Sequence, residues 1–407
     1  MRKAFAKFAD KIDGPKNGNG GSPSSSSQPP LINHSTKPSR KAIYPQPGHR
    51  DPGSGQLPPK VASAKHHGIM HFFLPNGREH IVSRDVGNSG VLNGKIVWGW
   101  GDTLMGAGGR GSKANICATD STSIGNMSNP MYATDTALWD NNEFVANFIP
   151  CLPSEEKDGG LVSYAFGGSN VIEYAPNEGL LFFLKIHRPD GKNHIKGAGV
   201  AKVTMEGNVP KCHRDMDTLW TKEEPCYGDV GISYDCRDGF LYAFGKGPQQ
   251  DDEQLIRRTY LCRAPIKQAF DINAYQYWDN SSKTWTPRRL TTHGNMGTLK
   301  LTYEQSIFDY LQMDRSAPFW SNYFNKWMFL YGNSWGYSDV YVMTADRLEG
   351  PWDNHNGMIV ASTGGEPVAG EFRYAINGHP EWDESGKTVF VTWTKLNEIY
   401  GTTITWE

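Results

Sequence analysis

One two-strand phrase returns five times along this chain, and such a repeat leaves few folds open. The copies are DVGNSGVLNGKIVWGWGDT (85–103), GGSNVIEYAPNEGLLFFLKIH (167–187), YGDVGISYDCRDGFLYAFGKG (227–247), SAPFWSNYFNKWMFLYGNS (316–334) and NGHPEWDESGKTVFVTWTK (377–395). Each has a small or polar start, a strand, a turn and an aromatic-rich strand. Each is followed by a further alternating run: KANICATDST, GAGVAKVTM, QLIRRTYLCRAP, SDVYVMTADRLEGPW and EIYGTTITWE. The unit is a meander of three visible strands, with a more variable fourth outside. Repeated four-stranded antiparallel sheets predict an all-β protein, a five-bladed β-propeller. The 12% aromatic content, with 45 Gly and 25 Pro, agrees. A two-layer sandwich explains five similar hairpins less well. The propeller is expected over 63–407 at about 70 residues per blade, more than a compact blade needs, so long loops are inserted at 125–163 and 265–312. HFFLPNGREHIV (71–82) suits a strand that closes the ring against the last blade.

Residues 1–62 read as a disordered Gly/Ser/Pro-rich basic tail with almost nothing apolar to bury. Its start, MRKAFAKFADKID, lacks the apolar core and cleavage site of a secretory signal and reads as a frayed terminus. No run approaches the roughly 18 apolar residues of a membrane span. The net charge of −2 is uneven: residues 1–60 carry ten Lys/Arg against three Asp/Glu, and the rest 31 against 40. An acidic body is a poor phosphate-backbone binder, so no nucleic acid is expected and a carbohydrate ligand fits better. Six cysteines are too few for a disulfide scaffold, although the four between 212 and 262 could bridge if the protein is exported. A monomer is expected, and the compartment stays open.

The first copy is the most informative. Asn93-Gly94 between two strand-like runs is a strong hairpin signal. It puts Asp85 where the first strand begins and Asp102 where the second ends, and in an antiparallel pair those positions share an edge. A propeller also gathers the starts of its inner strands at one face. Asp85, Ser169-Asn170, Asp229, Ala317-Pro318 and His379-Pro380 are therefore expected to converge, with Asp120 and Arg373 nearby. Such a polar funnel suits glycoside hydrolysis, which needs one carboxyl as acid and one as nucleophile or base. Asp85 and Asp102 are the candidate catalytic pair, with Asp85 as base or nucleophile and Asp102 as general acid or its partner, although the sequence leaves open which is which. Asp120, Asn170, Asp229, Arg373 and His379 are candidate substrate-binding residues. Each has a structural alternative: turn caps for the aspartates, a packed core position for His379, an ion pair with Glu371 for Arg373. The Trp and Tyr residues of WGW, WSNYF and NSWGY read as blade core before sugar platforms. GAGGRG (106–111) opens no helix and is a weak phosphate loop. No metal-ligand spacing appears and no cofactor is expected, although a carboxylate-bearing channel could hold Ca²⁺.

RDVGNSG with NGKIVWGWGDT resembles the opening blade of the domain of unknown function 4185 family. That family shows an Arg-Asp-Gly-Gly-like start and a Trp-x-Phe-Gly-Asp-Thr strand end. KANICATDS, AYQYWDNSSKTWTP, DVYVMTADRLEGPW and the closing blade extend the resemblance over about 64–407. It implies a five-bladed propeller related to microbial endo-D-arabinanases, with two blade-one aspartates as catalytic groups, matching Asp85 and Asp102. Three departures stand out: Val86-Gly87 for Gly-Gly, Trp100 for Phe, and Lys113-Ala114-Asn115 for Arg-Ser-Asn. The competing readings are a non-catalytic sugar-binding propeller and a protein-interaction propeller.

Overall fold

The Asn93-Gly94 turn closes as its residues dictate, with φ of 49° and 71°. Two positive φ values in a two-residue loop match the right-handed twist of the strands they join. Asn88–Leu92 and Lys95–Trp100 pair antiparallel, Asn88 opposite Gly99 and Leu92 opposite Lys95. The computed structural model describes residues 39–45, 53–105, 115–139, 144–248, 253–308, 315–332, 339–364 and 373–407. The N-terminal basic stretch, the GAGGRG run, Lys113-Ala114, Trp335 and Glu371 lie outside them.

The described chain is mostly β, with only short helices. The hairpin continues into Ser121–Gly125 and Tyr132–Asp135. A second meander runs Glu178–His187, His194–Glu206, Val209–His213, with Tyr164–Gly168 and Ile172–Ala175 both on its inner side. A parallel bridge from Ile172 to Val91 joins it to the first. The third runs Cys226–Asp235, Phe240–Lys246, Thr259–Pro265, Gln276–Asp279 and Thr284–Thr286. The fourth runs Phe319–Ser321, Lys326–Gly332, Asp339–Ala345, Ile359–Ser362. In the last, Arg373–His379, Thr388–Lys395 and Glu398–Trp406 are completed by Val61–Ile69.

The last sheet corrects two expectations. The strand that joins the chain's two ends is Val61–Ile69, not 71–82; His71–Phe73 instead pairs in parallel with Tyr132–Asp135. Val61–Ile69 is exposed along nearly its whole length, so it has no apolar alternation to betray it. His379-Pro380 ends the inner strand, whose start is Arg373-Tyr374. Pro380 stops pairing and opens the turn Pro380–Trp382, as a residue without an N–H must.

Burial follows the same order. Separate apolar clusters form between first and second meanders (Val97, Phe183), second and third (Phe182, Tyr277), third and fourth (Phe244, Phe329), fourth and fifth (Leu330, Val391), and fifth and first (Trp98, Phe390). Inner strands are laced by polar side chains. Asn88 Nδ2 donates to Gly168 O, Asn170 brackets Ile232 through both its amide atoms, and Ser233 Oγ donates to Pro318 O. Asn377 Nδ2 donates back to Gly87 O. Between the fourth and fifth, Gly378 lies so close to Phe319 that a Cβ would sit 2.4 Å from its ring.

Part of the stretch read as tail is placed against this body. Arg40 donates from its amide to Gly94 O and from Nη2 to Met127 O. Tyr44 meets Tyr234 edge to face at 5.2 Å, and Cys236 Sγ donates to Pro45 O. Ala42–Tyr44 thereby lines, with all five inner strands, a cavity at their hairpin-turn end. Cys151, Cys212, Cys226, Cys236 and Cys262 are free thiols, so the four from 212 to 262 form no bridge among themselves; Cys226 and Cys262 are buried on separate strands of the third meander.

Candidate functional site

Asp85 and Asp102 meet because the hairpin breaks and then resumes. Beyond Gly87 and Trp100 its two sides pair again as Ser83–Arg84 with Thr103–Met105. In the gap Asp85 N donates to Asp102 O at 3.1 Å, and Gly101 N to Asp85 O at 2.9 Å. A Cβ at Gly101 would stand 2.2 Å from Asp85 Oδ1, so any larger residue there would displace the carboxylate. Both aspartates stay partly exposed, at the end of the inner strands opposite Ala42–Tyr44.

The preceding residue fixes the gap from behind. Arg84 is fully buried; its guanidinium reaches Asp135 at 2.9 Å and Ser123 Oγ at 3.1 Å, with Phe72 against one face. Burial alone would raise the Asp135 pKa, but Arg84, His80 and Ser123 together hold it below the usual value. A buried charge kept by this many partners is an anchor.

Tyr374, at the start of the last inner strand, donates its hydroxyl to Asp85 Oδ2 at 2.9 Å. Asp85 Oδ1 is buried without a hydrogen bond. Burial, then the charge of Asp102, pushes Asp85 up to about 7; Tyr374 and Arg315 pull the other way. Burial also raises Asp102, against Arg188 and Arg315. Two adjacent carboxyls of this kind titrate as a pair, and the first proton is held toward neutrality. Arg315 in turn pairs with Asp229 at 3.0 Å, and Lys246 stands 3.8 Å from the same carboxylate. The mouth thus combines Asp85, Asp102 and Asp229 with Arg315, Arg188 and Tyr374. Sequence reasoning missed the last three. Arg315 and Tyr374 each fall just before or at an inner strand's start, which is the only local signal they carry.

The other candidates are placed elsewhere. Asp120 is 2% exposed, and its carboxylate accepts from the Phe148 and Ile149 amides and from Asn147 Nδ2, which anchors a loop; burial raises its pKa to about 7. Asn170 laces two inner strands, as above. His379 is 1% exposed at the strand's far end, between Ser89 Oγ at 2.7 Å and Thr392 Oγ1 at 2.7 Å, and burial lowers it to about 3. It is a neutral packed histidine. Arg373 is 3% exposed and donates to Thr363 Oγ1. Trp98, Trp100 and Trp320 are buried core. Among the described residues no three His, Cys, Asp or Glu side chains cluster to hold a metal ion, and no helix is long and apolar enough to cross a membrane.

Neither a family model nor a curated protein matches the sequence. Solved structures do resemble the fold. A candidate hydrolase from Bacteroides ovatus superposes with TM-score 0.55 at 14% identity, over 79% of this chain and 85% of that one. The two share a fold. A β-1,3-galactosidase of glycoside hydrolase family 43, solved with galactodeoxynojirimycin, covers 84% of this chain and 93% of its own at 12% identity and TM-score 0.45. A family 43 enzyme from Xanthomonas citri, complexed with xylotriose, covers 80% and 87% at 9% identity and TM-score 0.43. These two are distant likenesses from which no function follows.

Proposed function

We propose that this chain is a five-bladed β-propeller glycoside hydrolase related to the 4185 family, cleaving a furanosidic, arabinan-type or related polysaccharide through Asp85 and Asp102. The circuit of lacing contacts and the five inter-sheet clusters support a ring of five blades. The partly exposed carboxyl pair, held together by the broken hairpin, carries the functional reading. In this reading Asp85 is the general acid, because it is the carboxyl pushed to about 7 and keeps a proton for the leaving oxygen. Asp102, facing Arg188 and Arg315, supplies the anion as nucleophile or base. The sequence leaves open which of the two is the acid. Tyr374 orients Asp85, and Asp229 holds Arg315. Of the aromatics that could form sugar platforms, Trp98, Trp100 and Trp320 are buried, whereas Trp139 and Phe144 are exposed. A panel of arabinans, galactans and xylans, with oligosaccharide products separated by chromatography, tests substrate class. Products from a furanosidic polymer are expected; binding of a glycan without cleavage would move the reading to the non-catalytic propeller.

A further inference from the structure

The backbone on both sides of the Asp85–Tyr374 hydrogen bond is bent into the left-handed region at residues that resist it. Val86 has φ 65° and Ala375 φ 55°. A β-branched residue rarely adopts this conformation, and it persists only where the surroundings enforce it. Val86 stands where the resembled motif has glycine, so the strain is a property of this chain. The enforcing residue is Thr394, which is fully buried. Its hydroxyl accepts from Val86 N at 2.9 Å, while its backbone pairs with Tyr374 in the last sheet. The pairing shifts register between Tyr374 and Asn377, where Ala375 bulges. One residue therefore holds both halves of the bond.

We propose that Thr394 is a positioning residue for Asp85: its hydroxyl, with the left-handed residues Val86 and Ala375, holds the Asp85 carboxyl against the Tyr374 hydroxyl. The inference rests on reading Asp85 as a reacting group. Without the hydroxyl, Val86 N has no acceptor, the kink relaxes, and Asp85 leaves Tyr374 for water. Asp85 faces Asp102 and Gly101 on its own hairpin, Tyr374 on the last sheet and Arg315 before the fourth. A shift in its titration is thus read against these groups.

The full-length protein and its Thr394→Val, Thr394→Ala and Thr394→Ser variants are unfolded by heat across about pH 5 to 9, each with and without Asp85→Asn, isolating the Asp85-dependent part of the stability. Thr394→Val is expected to move the midpoint of that part downward by about one pH unit or more, because access to water relieves the burial that raises Asp85 most and outweighs the lost Tyr374 hydrogen bond, while Thr394→Ser, which keeps the acceptor, leaves it in place. Thr394→Ala repeats the loss should the valine variant not fold. In a cleavage assay kcat falls about tenfold or more with KM little changed. A melting temperature lowered equally at every pH, with the midpoint unmoved, overturns the proposal. The titration is read whether or not any glycan is cleaved, so failure of the hydrolase reading is seen separately.

Discussion

Asp85 gains its character from neighbours more than from its own sequence position. Its folded pKa, near 7, exceeds the ordinary carboxyl value of the unfolded chain. The native state therefore keeps a proton that the unfolded chain has lost, and stability contributed below about pH 4 is lost as pH rises to about 7. Asp85→Asn is expected to remove up to about 4 kcal/mol of that decline, read from melting temperatures across the interval. Asp120 and Glu381, both raised to about 7 by burial, tilt the curve the same way and keep part of the slope in the variant. Gly101→Ala tests placement: its Cβ would collide with Asp85 Oδ1, so cleavage is expected to fall about a hundredfold while circular dichroism stays that of a folded sheet. Unchanged cleavage would mean Asp85 is free to move without loss.

At the level of elements, the hairpin depends on its turn and on its tryptophans. Trp98 is fully buried between the first and last sheets, stacked on Trp100 at 4.8 Å. Trp98→Ala is expected to cost about 3–5 kcal/mol in denaturant unfolding. This hairpin was legible because Asn-Gly, alternating apolar residues and flanking aspartates are all local. Tyr374, Arg315 and Thr394 were not, since their roles arise only when distant sheets meet. The surroundings of His379 and Asp120 were illegible for related reasons. Pro380 looked like a strand start, and an aspartate in a turn gives no sign that distant amides will occupy it. Val61–Ile69 escaped because an outer strand can be held by backbone pairing with its side chains largely exposed.

For the whole molecule, the segment Ala42–Tyr44 lines a cavity at the hairpin-turn end of the inner strands. Ile43 and Tyr44 were the visible exception in a polar stretch, too short a signal to separate from tail. Removing residues 1–45 is expected to cost about 2–4 kcal/mol of stability through lost burial of those two side chains, read as a lower melting temperature. The opposite mouth keeps Asp85 and Asp102, so cleavage in the truncated protein should persist wherever it still folds. In the proposed function those two carboxylates act on a glycan. The most direct measurement is release of new reducing ends from arabinan-type polysaccharide by wild type, Asp85→Asn and Asp102→Asn at equal concentration. Release by wild type, and a fall of about a thousandfold or more in each variant, is the expected result. Release that survives both substitutions would contradict it.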